Sequence, residues 1–369
     1  MRVLYDHQAF SLQSYGGITR VFREIVHYLN RQPNVSTTVL LGFSNTQADF
    51  RGIVSSTGKV FHPGRSPFRT GMSSYALNEA LTAAYAPCLG KFDVYHSTLY
   101  RFSSAVRATH RVATHHDCVQ ERFPELFPDR DRIVRTKRRM FRQADLVLCV
   151  SESSRNDLLH FYDIPPEKAV VVHNGVTAMR RAPDGEAALR AHVSGDFLLY
   201  VGARHSYKNF DGLLRAYAES GTAGDYSLLV AGGGAPTAAE TDLIGKLRIS
   251  GRVNFVPHAS QPLLAEAYAR STLFVYPSLY EGFGMPPLEA ASAGCASLVA
   301  SNPAAHEICQ DSVFYFDPAN QAEFSRMLQL ALSDSAGRAL RLQRSKALLR
   351  EYTWENCGRQ TLEAYLRLQ

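Results

Sequence analysis

The sequence predicts an α/β protein with two domains, each built on a doubly wound parallel sheet. Short apolar runs alternate with helical patterns along all 369 residues, as expected for parallel strands covered by helices on both faces. The alternation starts again near Phe197. The segment before it, Met179–Gly195, is polar and contains Pro183, Gly185 and Gly195. We interpret this segment as a linker between the two domains.

The elements follow from local periodicity and from the positions of glycine and proline. The predicted strands are Arg2–Tyr5, Ser36–Leu41, Val94–His96, Arg111–Thr114, Leu146–Val150, Ala169–Val172, Phe197–Val201, Ser227–Ala231, Val253–Val256, Leu273–Tyr276, Ala296–Ala300 and Val313–Phe316. The predicted helices include Gly17–Arg31, Asp131–Gln143, Glu152–Tyr162, Phe210–Ser220, Ala238–Ile249, Leu263–Arg270, Pro287–Ala293, Gln321–Ser333, Ala336–Arg350 and Trp354–Leu368.

This pattern assigns residues 1–178 to the first domain and 179–353 to the second, and the final helix, 354–369, is expected to pack back on the first domain. Two such domains are expected to face a deep cleft between the carboxyl ends of their sheets, where ligands of open α/β sheets bind.

The composition is that of an ordinary globular protein, with 45% hydrophobic and 20% charged residues. A formal charge of +6 suits an enzyme of anionic substrates or a contact with an anionic membrane surface, although a generally basic soluble protein fits equally well. The six cysteines include no C-x-x-C pair, which predicts reduced core thiols and a cytoplasmic location. The sequence shows no signal segment and no apolar run of 18 residues.

The stretch SLYEGFGMPPLEA, residues 278–290, predicts a glycine turn between a buried strand and a helix. Pro286 and Pro287 suit a first helical turn, where Glu289 would also lie. Gly282 and Gly284 leave backbone N–H groups open to an anion at the helix start. A sugar joined to a nucleoside diphosphate would match both the N–H groups and the two carboxylates, Glu281 and Glu289. For either glutamate alone, a surface or helix-start acid is the simpler interpretation.

Two further turns carry chemistry-bearing residues. The sequence VGARHSYKN after the strand Phe197–Val201 offers Arg204 and Lys208, cations that could stabilise a departing diphosphate. Solvated loop cations are the alternative. Gly16 and Gly17, between the first strand and the first long helix, would let the backbone approach a ligand.

The strand Arg111–Thr114 leads into His115, His116 and Asp117. Neighbouring histidines on a strand point in opposite directions, so a zinc site is not expected. His116 is either a site residue or a core histidine.

Asp129 and Asp131 have the spacing of a metal-binding D-x-D motif, but they precede a helix and we interpret them as helix caps. That helix carries Arg132, Arg135, Lys137, Arg138, Arg139 and Arg142, a cationic face that either contacts anionic lipid or is solvated. The run of three glycines after Ala231 lacks the spacing of a dinucleotide-binding loop and is expected to be a loop near the cleft.

The run EGFGMPPLE resembles the E-x-seven-E motif of the retaining glycosyltransferases of family four, which have the GT-B fold of two Rossmann-like domains. VGARHSYKN, VVVHNGV and YGGITR stand in the order typical of that family, so the resemblance covers nearly the whole chain. One departure is the run Gly294-Cys295-Ala296, in which similar members usually carry a proline. We expect a local backbone change there and no loss of activity.

The resemblance implies a nucleotide-binding second domain and an acceptor-binding first domain. In the second domain Glu289 would contact the ribose, and Arg204 and Lys208 the phosphates. Glu281 would hold the donor sugar, together with the turn formed by Gly282, Phe283, Gly284 and Met285.

In the first domain the resemblance implies that Gly16 and Gly17 lie beside the diphosphate, with His116 and Asp117 near the anomeric carbon. The run Glu121–Glu125 resembles the acceptor-side segment of bacterial polysaccharide mannosyltransferases and deoxymannosyltransferases, which favours a GDP-sugar.

The expected function is retaining transfer of a mannose-type sugar to a hydroxyl of a growing lipid-linked surface glycan, such as an O-antigen. The nucleotide sugar is a co-substrate, and we expect no cofactor, no metal and no nucleic-acid partner. The expected location is the cytoplasm, with peripheral contact to the inner membrane. Alternatives are a catalytically silent nucleotide-sugar-binding subunit and a transferase with a UDP-hexose donor. A phosphorylase-like enzyme of the same fold would need a pyridoxal lysine motif, which the sequence lacks.

Overall fold

The structure is a computed structural model that describes residues 1–13, 16–44, 46, 50, 59–68, 71–204 and 206–369. Tyr15 and His205, which belong to two of the motifs above, lie outside the described residues. The chain forms two compact units. Unit 1 comprises Met1–Gly175 and Tyr352–Gln369, and unit 2 comprises Val176–Glu351.

Unit 1 is an α/β unit in which strands and helices alternate. Its described strands are β1 (Arg2–Tyr5), β2 (Ser36–Leu40), β3 (Lys59–Phe61), β4 (Lys91–Ser97), β5 (Arg107–His115), β6 (Leu146–Cys149) and β7 (Ala169–Val171). Its described helices are α1 (Gln8–Leu12), α2 (Gly17–Leu29), α3 (Gly71–Tyr85), α4 (Val119–Arg122), α5 (Arg130–Gln143), α6 (Glu152–Phe161) and, at the carboxyl end of the chain, α15 (Trp354–Leu366).

Unit 2 repeats the same plan. Its described strands are β8 (Phe197–Val201), β9 (Ser227–Ala231), β10 (Val253–Val256), β11 (Leu273–Tyr276), β12 (Ser297–Ala300) and β13 (Phe314–Phe316). Its described helices are α7 (Pro183–Arg190), α8 (Phe210–Glu219), α9 (Ala238–Lys246), α10 (Gln261–Arg270), α11 (Met285–Ser292), α12 (Pro303–Cys309), α13 (Gln321–Ser333) and α14 (Ser335–Glu351).

Both sheets are parallel and reverse their strand order once. The described strands of unit 1 follow the order β3-β2-β1-β4-β5-β6-β7, and those of unit 2 the order β10-β9-β8-β11-β12-β13. The order reverses between β1 and β4 in one sheet and between β8 and β11 in the other. Ligands of doubly wound sheets bind outside the carboxyl ends of the strands at such a switch point, so these ends are where a site is expected.

The fold class predicted from the sequence is confirmed, and each predicted strand is present with its ends shifted by a few residues. The sequence patterns missed β3 and the helices α1, α3, α4, α7 and α12. The inward stripe of α3 explains one omission, since it consists of Ser74, Asn78 and Thr82. These polar residues recur every four positions, so α3 lacks the apolar periodicity by which buried helices are recognised.

The segment Met179–Gly195 is not an open linker as predicted, because it contains α7. Pro183 is the first residue of this helix, where a missing N–H costs nothing. Gly185 lies against α10, and a Cβ atom there would be only 2.6 Å from the carbonyl oxygen of Pro262. Arg181 adds an ion pair from its Nε to Glu266 at 2.6 Å. Proline and glycine here serve a helix start and a close helix contact.

The last helix, α15, belongs to unit 1 and packs on α2. Gly358 lies against the ring of Tyr28, where a Cβ atom would be 2.3 Å from the Cγ atom. Farther along, the hydroxyl of Tyr365 is 2.8 Å from that of Tyr5 and 2.5 Å from Nδ1 of His96. These three side chains are fully buried, so α15 is part of the core of unit 1.

No helix in the described part of the chain is both long enough and apolar enough to cross a membrane. All six cysteines lie in the described residues and none of them forms a disulfide there, and every one except Cys88 is buried.

We predict that Gly358→Ala destabilises unit 1 by about 1–3 kcal/mol, because the added methyl group overpacks the contact between α15 and α2. The single tryptophan of the chain, Trp354, is the first residue of α15. Its fluorescence therefore reports the unfolding of unit 1 in urea.

Gly245→Ala is the matched control, since Gly245 is also helical but a Cβ atom there would meet nothing within 4 Å. Alanine favours the helix at such a position, so stability should stay equal or rise slightly. Equal urea midpoints for Gly358→Ala and the unaltered chain would refute the packing argument.

Candidate active site

The switch point of unit 2 brings together two loops that lie far apart in sequence. One loop follows β8 and leads through Lys208 to α8, and the other follows β11 and leads through Glu281 to α11. The backbone N–H of Leu279 donates to the carbonyl oxygen of Tyr207 at 2.9 Å, which ties the loops directly. Pairing of β8 with β11 places the side chains of both loops at one edge of the sheet.

Lys208, Glu281 and Tyr276 form a compact charged cluster at this edge. The ammonium group of Lys208 donates to Oε1 of Glu281 at 2.5 Å, and the hydroxyl of Tyr276 donates to the same oxygen at 2.5 Å. Both charged side chains are largely buried, with 18% and 15% exposed. Burial, reinforced by the charge of Glu281, raises the pKa of Tyr276. The tyrosine therefore stays protonated and serves as a hydrogen-bond donor.

The turn between Glu281 and α11 brings backbone close to this cluster. Gly284 precedes α11 with φ +84°, and a Cβ atom there would lie 3.7 Å from the ring of Tyr276. Only glycine adopts this left-handed conformation without strain. Met285 is the first helical residue. Pro286 and Pro287 occupy the second and third positions of the helix and have no N–H. Met285 is therefore the one residue among the first three helical positions that has a backbone N–H.

The sequence predicted that Glu289 lies in the first turn of α11, and this is wrong. The helix begins at Met285 and not at the prolines. Glu289 belongs to the second turn and is 8% exposed. A favourable interaction with the amino-terminal end of the helix dipole is therefore weaker than expected.

A narrow cavity opens beside the cluster. Its walls include Tyr276, Glu281, Gly284, Asn302 and Cys309. It encloses about 10 Å³, roughly the room one water molecule needs. Asn302 stabilises its wall, because its side-chain amide donates to the carbonyl oxygen of Ser278 at 3.1 Å while its Oδ1 caps α12.

Arg204, which the family resemblance assigns to the donor phosphates, makes hydrogen bonds to groups of unit 2, and its contact with a diphosphate stays a prediction. Its side chain is 3% exposed. Nε donates to Glu240 at 2.7 Å, and Nη1 donates to the carbonyl oxygen of Gly232 at 2.7 Å. Nη2 donates to the carbonyl oxygens of Gly234 and Ala235 at 3.2 and 2.8 Å. Arg204 thus holds the three-glycine loop after β9, whose glycines all have positive φ.

In unit 1, Gly16 and Gly17 form the start of α2. Gly16 precedes the helix in an extended conformation and Gly17 is its first residue. The carbonyl oxygen of Gly16 accepts from the hydroxyl of Thr19 at 2.9 Å. A Cβ atom at Gly16 would lie 2.5 Å from the amide oxygen of Gln13. A side chain at position 16 would therefore collide with Gln13, and the approach of a ligand to this turn stays a prediction.

The two histidines at the end of β5, His115 and His116, point to opposite layers, as predicted. Nε2 of His115 lies 3.5 Å from the sulfur of Cys118, and the ring of His115 packs edge-on against Phe141 of α5. His116 instead packs against Phe22 of α2. Nε2 of His116 is buried and has no hydrogen-bond partner among the described residues. Burial lowers the pKa of His116 to about 4, against the opposing effect of Asp117, so the imidazole is neutral at pH 7.

A buried ion pair holds the segment after His116 and was not foreseen. Lys137 and Glu121 have side chains 1% and 2% exposed. The ammonium group of Lys137 donates to Glu121 at 3.2 Å, to Gln120 at 2.7 Å and to the carbonyl oxygen of Asp117 at 3.2 Å. The hydroxyl of Tyr162 also donates to Glu121. Lys137 therefore does not belong to the predicted cationic surface of α5.

The aspartates before and within α5 are not the caps that the sequence suggested. Asp129 occupies the capping position without a side-chain capping bond. It pairs instead with Arg132 at 3.1 Å, and Asp131 pairs with Arg130 at 3.1 Å. Among the described residues no group of three His, Cys, Asp or Glu side chains could hold a metal ion.

Each unit thus assembles part of the predicted site. Unit 2 unites Lys208, Glu281 and the turn Gly282–Met285, whereas Arg204 supports a neighbouring loop. Local sequence patterns did not single out Tyr276 or Asn302, nor the buried position of Lys137. Tyr276 could have been found, because it ends a buried strand at the switch point. Lys137 carried no such signal, because six arginines of the same helix surround it in sequence.

Two family sequence models match successive parts of the chain. Glycosyltransferase Family 4 matches residues 15–180, and Glycosyl transferases group 1 matches residues 187–348. The first match falls in unit 1 apart from its last residues, and the second lies within unit 2.

Individual proteins agree with this assignment. O-antigen chain mannosyltransferase B of Escherichia coli is 28% identical over 311 residues, which cover 80% of this chain and 79% of that protein. D-inositol 3-phosphate glycosyltransferase of Salinispora tropica is 26% identical, and the match covers 60% of this chain and 51% of that protein, so the chain spans about half of that relative. The structure of Anabaena Alr3699/HepE in complex with UDP-glucose covers 100% of both chains with a TM-score of 0.76 at 18% identity.

The two parallel α/β units, the two successive family matches and the similar proteins point to the same family. The chain therefore belongs to the glycosyltransferases of GT-B fold that join a Glycosyltransferase Family 4 domain to a group 1 domain.

Proposed function

We propose that the chain is a retaining transferase that moves a mannose-type sugar from a nucleoside diphosphate to a hydroxyl of a growing, lipid-linked bacterial glycan. The observation that carries this proposal is the cluster of Lys208, Glu281 and Tyr276 at the switch point of unit 2. It offers one cation and one carboxylate beside a glycine turn, which are the groups needed at the phosphate and sugar ends of such a donor.

In the proposed complex Lys208 contacts the donor phosphates, and the carboxylate of Glu281 accepts hydrogen bonds from hydroxyls of the donor sugar. The N–H of Met285 contributes at the same end. The family resemblance assigns Glu289 to the ribose. We keep this assignment as a proposal, with Glu289 in the second turn of α11. Without donor, Glu281 neutralises the largely buried Lys208, so the cation does not stand uncompensated.

The proposed step retains configuration by attack on the same face of the sugar. The bond from the anomeric carbon to the phosphate oxygen breaks as the bond to the acceptor oxygen forms. The acceptor's proton passes to the departing phosphate, which leaves as the nucleoside diphosphate. Lys208 stabilises the negative charge that develops on this phosphate, which is where fixed charges contribute most to catalysis.

Unit 1 supplies His116 and Asp117 in this proposal. The unpartnered Nε2 of His116 leaves a neutral imidazole able to bond a substrate hydroxyl. The resemblance assigns Arg204 to the donor phosphates, and in this structure its side chain holds the glycine loop after β9. Gly16 and Gly17 are assigned to the diphosphate side by the resemblance alone.

Donor and location remain proposals with different support. The mannosyltransferase relative favours GDP-mannose or a related GDP-sugar, whereas the similar solved structure contains UDP-glucose. Free, mostly buried cysteines favour the cytoplasm, and the basic helix α5 favours contact with the inner membrane. A silent nucleotide-sugar-binding subunit is the second candidate, and turnover by the purified protein separates the two.

We predict that Glu281→Gln and Lys208→Met each lower turnover by at least about 100-fold, because each removes a contact to charge or hydroxyls at the transition state. Release of nucleoside diphosphate from the donor, with acceptor present, is the measurement. The thermal midpoint of each variant should also be measured, because each substitution leaves one charge of the Lys208–Glu281 pair without its partner and can lower the stability of the protein.

The exposed pair Lys246–Asp242, at 2.6 Å within α9, provides the control. Lys246→Met and Asp242→Asn alter the same kinds of charge in the same unit and should leave turnover unchanged. Near-normal turnover by Glu281→Gln or Lys208→Met would remove that residue from the proposed machinery.

We also predict that turnover persists in excess EDTA, because the charge on the departing phosphate is met by Lys208 and backbone N–H groups. Assays in EDTA, then with added Mn²⁺, test this directly. Loss of activity in EDTA with recovery in Mn²⁺ would show that a metal ion takes part and would reopen a role for Asp129 and Asp131.

A third prediction concerns the donor base. GDP at about 100-fold above its dissociation constant should stabilise the protein by roughly 2.7 kcal/mol, measured as a rise in thermal midpoint, whereas UDP and ADP should give little. A rise with UDP and none with GDP would reject the mannose-type donor and leave the transferase assignment standing. A rise with none of the three would count against a nucleotide site altogether.

A further inference from the structure

Unit 1 carries a second concave site, which the proposed transfer chemistry does not use. It has a volume of about 500 Å³, within the range of small-molecule pockets. Its walls come from the loop after β4, from β5 and from one face of α5. Five arginines line it: Arg101, Arg111, Arg132, Arg135 and Arg139. We call this site the arginine pocket.

The charge in the arginine pocket is only partly balanced. Arg101 pairs with Glu79 at 3.2 Å, and Arg132 pairs with Asp129 at 3.1 Å. Arg111, Arg135 and Arg139 have no ion pair within the described ranges of the chain, and no aspartate or glutamate is among the residues that line the pocket. Three guanidinium groups around one cavity repel each other, and a bound anion would relieve that repulsion.

Three of the five arginines come from a single helix that is anchored in the core of unit 1. Arg132, Arg135 and Arg139 follow the spacing i, i+3 and i+7, which places them along one face of α5 over a length of about 10 Å. Lys137 anchors α5 from another face through its buried contact with Glu121. The ring of Phe102 lies 5.9 Å from the guanidinium carbon of Arg111. The helix that carries three of the arginines is therefore fixed against unit 1 by a buried contact.

The arrangement suits an anion with more than one phosphate group. A guanidinium group bonds phosphate oxygens in a bidentate manner, so several guanidinium groups spread over about 10 Å exceed what one phosphate can use. The hydroxyl of Ser104, also in the walls, can donate to a further oxygen. A diphosphate offers enough oxygens and charge to engage the whole set.

We propose that the arginine pocket binds the diphosphate of the acceptor, the group that joins the glycan to its lipid. This identification of the ligand rests on the proposed function, whereas diphosphate binding by the pocket does not. The same chemistry could come from a free diphosphate or from the phosphate head groups of a membrane, and the experiment separates these sources.

The test is isothermal titration of the full chain with inorganic pyrophosphate and with farnesyl diphosphate. We expect saturable binding of both that weakens at least 10-fold in Arg135→Gln/Arg139→Gln. The control is Arg138→Gln/Arg142→Gln, which removes the same charge from the same helix at residues that do not line the pocket. It should bind as the unaltered chain does. Equal weakening in both double variants would show a general charge effect and overturn the proposal.

Pyrophosphate can also enter the donor site, so Lys208→Met is titrated in parallel. Loss of binding in Lys208→Met alone would place pyrophosphate in unit 2 and overturn the arginine pocket. A chain that binds diphosphate through Arg135 and Arg139 but turns over no nucleotide sugar would support the pocket and count against the proposed function. The two failures are thus distinguishable.

Flotation with vesicles of phosphatidylcholine containing phosphatidylglycerol completes the design. One outcome would overturn the diphosphate assignment: the chain binds neither pyrophosphate nor farnesyl diphosphate, but it binds vesicles and needs Arg135 and Arg139 to do so. The pocket would then contact a membrane surface. Binding of farnesyl diphosphate without any vesicle binding supports a lipid-linked ligand held by its diphosphate.

Discussion

The parallel pairing of β8 with β11 is the constraint on which the candidate site depends. Leu198 pairs with Leu273 and Leu199 with Phe274, so the loop after each strand ends at the same edge of the sheet. This register allows Lys208 and Glu281 to meet at 2.5 Å although 73 positions separate them. Because the strand order reverses here, no crossover helix covers the edge, and the two loops remain open to a ligand.

Burial decides what the cations of this protein are free to do. Arg204 and Lys137 have side chains 3% and 1% exposed, and each is fully engaged with carboxylate or carbonyl oxygens of its own unit. A buried cation must be matched in this way, since the cost of desolvating it is several kcal/mol. Lys208 keeps 18% exposure and contacts the carboxylate of Glu281. It is therefore better suited than Arg204 to exchange its partner for a phosphate.

The buried pair of Lys137 and Glu121 serves two surfaces of unit 1 at once. It fixes the segment after β5 that carries His116 and Asp117, because Lys137 also donates to the carbonyl oxygen of Asp117. It equally fixes α5, whose arginines line the arginine pocket. Removing either partner would leave a buried charge unmatched, which typically costs about 3–5 kcal/mol. The proposed acceptor-side residues and the proposed diphosphate pocket therefore share one anchor.

The sequence by itself determined the fold class, every described strand except β3, and the glycine turn around Glu281. These features depend on local periodicity and on backbone freedom at single positions. Gly284 is an example: the sequence predicted a glycine turn at this position, and its φ of +84° is one that glycine adopts readily. The tertiary structure alone decided which charged residues are available. Arg204 and Lys208 look alike in sequence, yet the three-glycine loop after β9 encloses Arg204, and Lys137 turns inward among exposed arginines. Pairing partners distant in the chain determine such burial, and no local pattern records them.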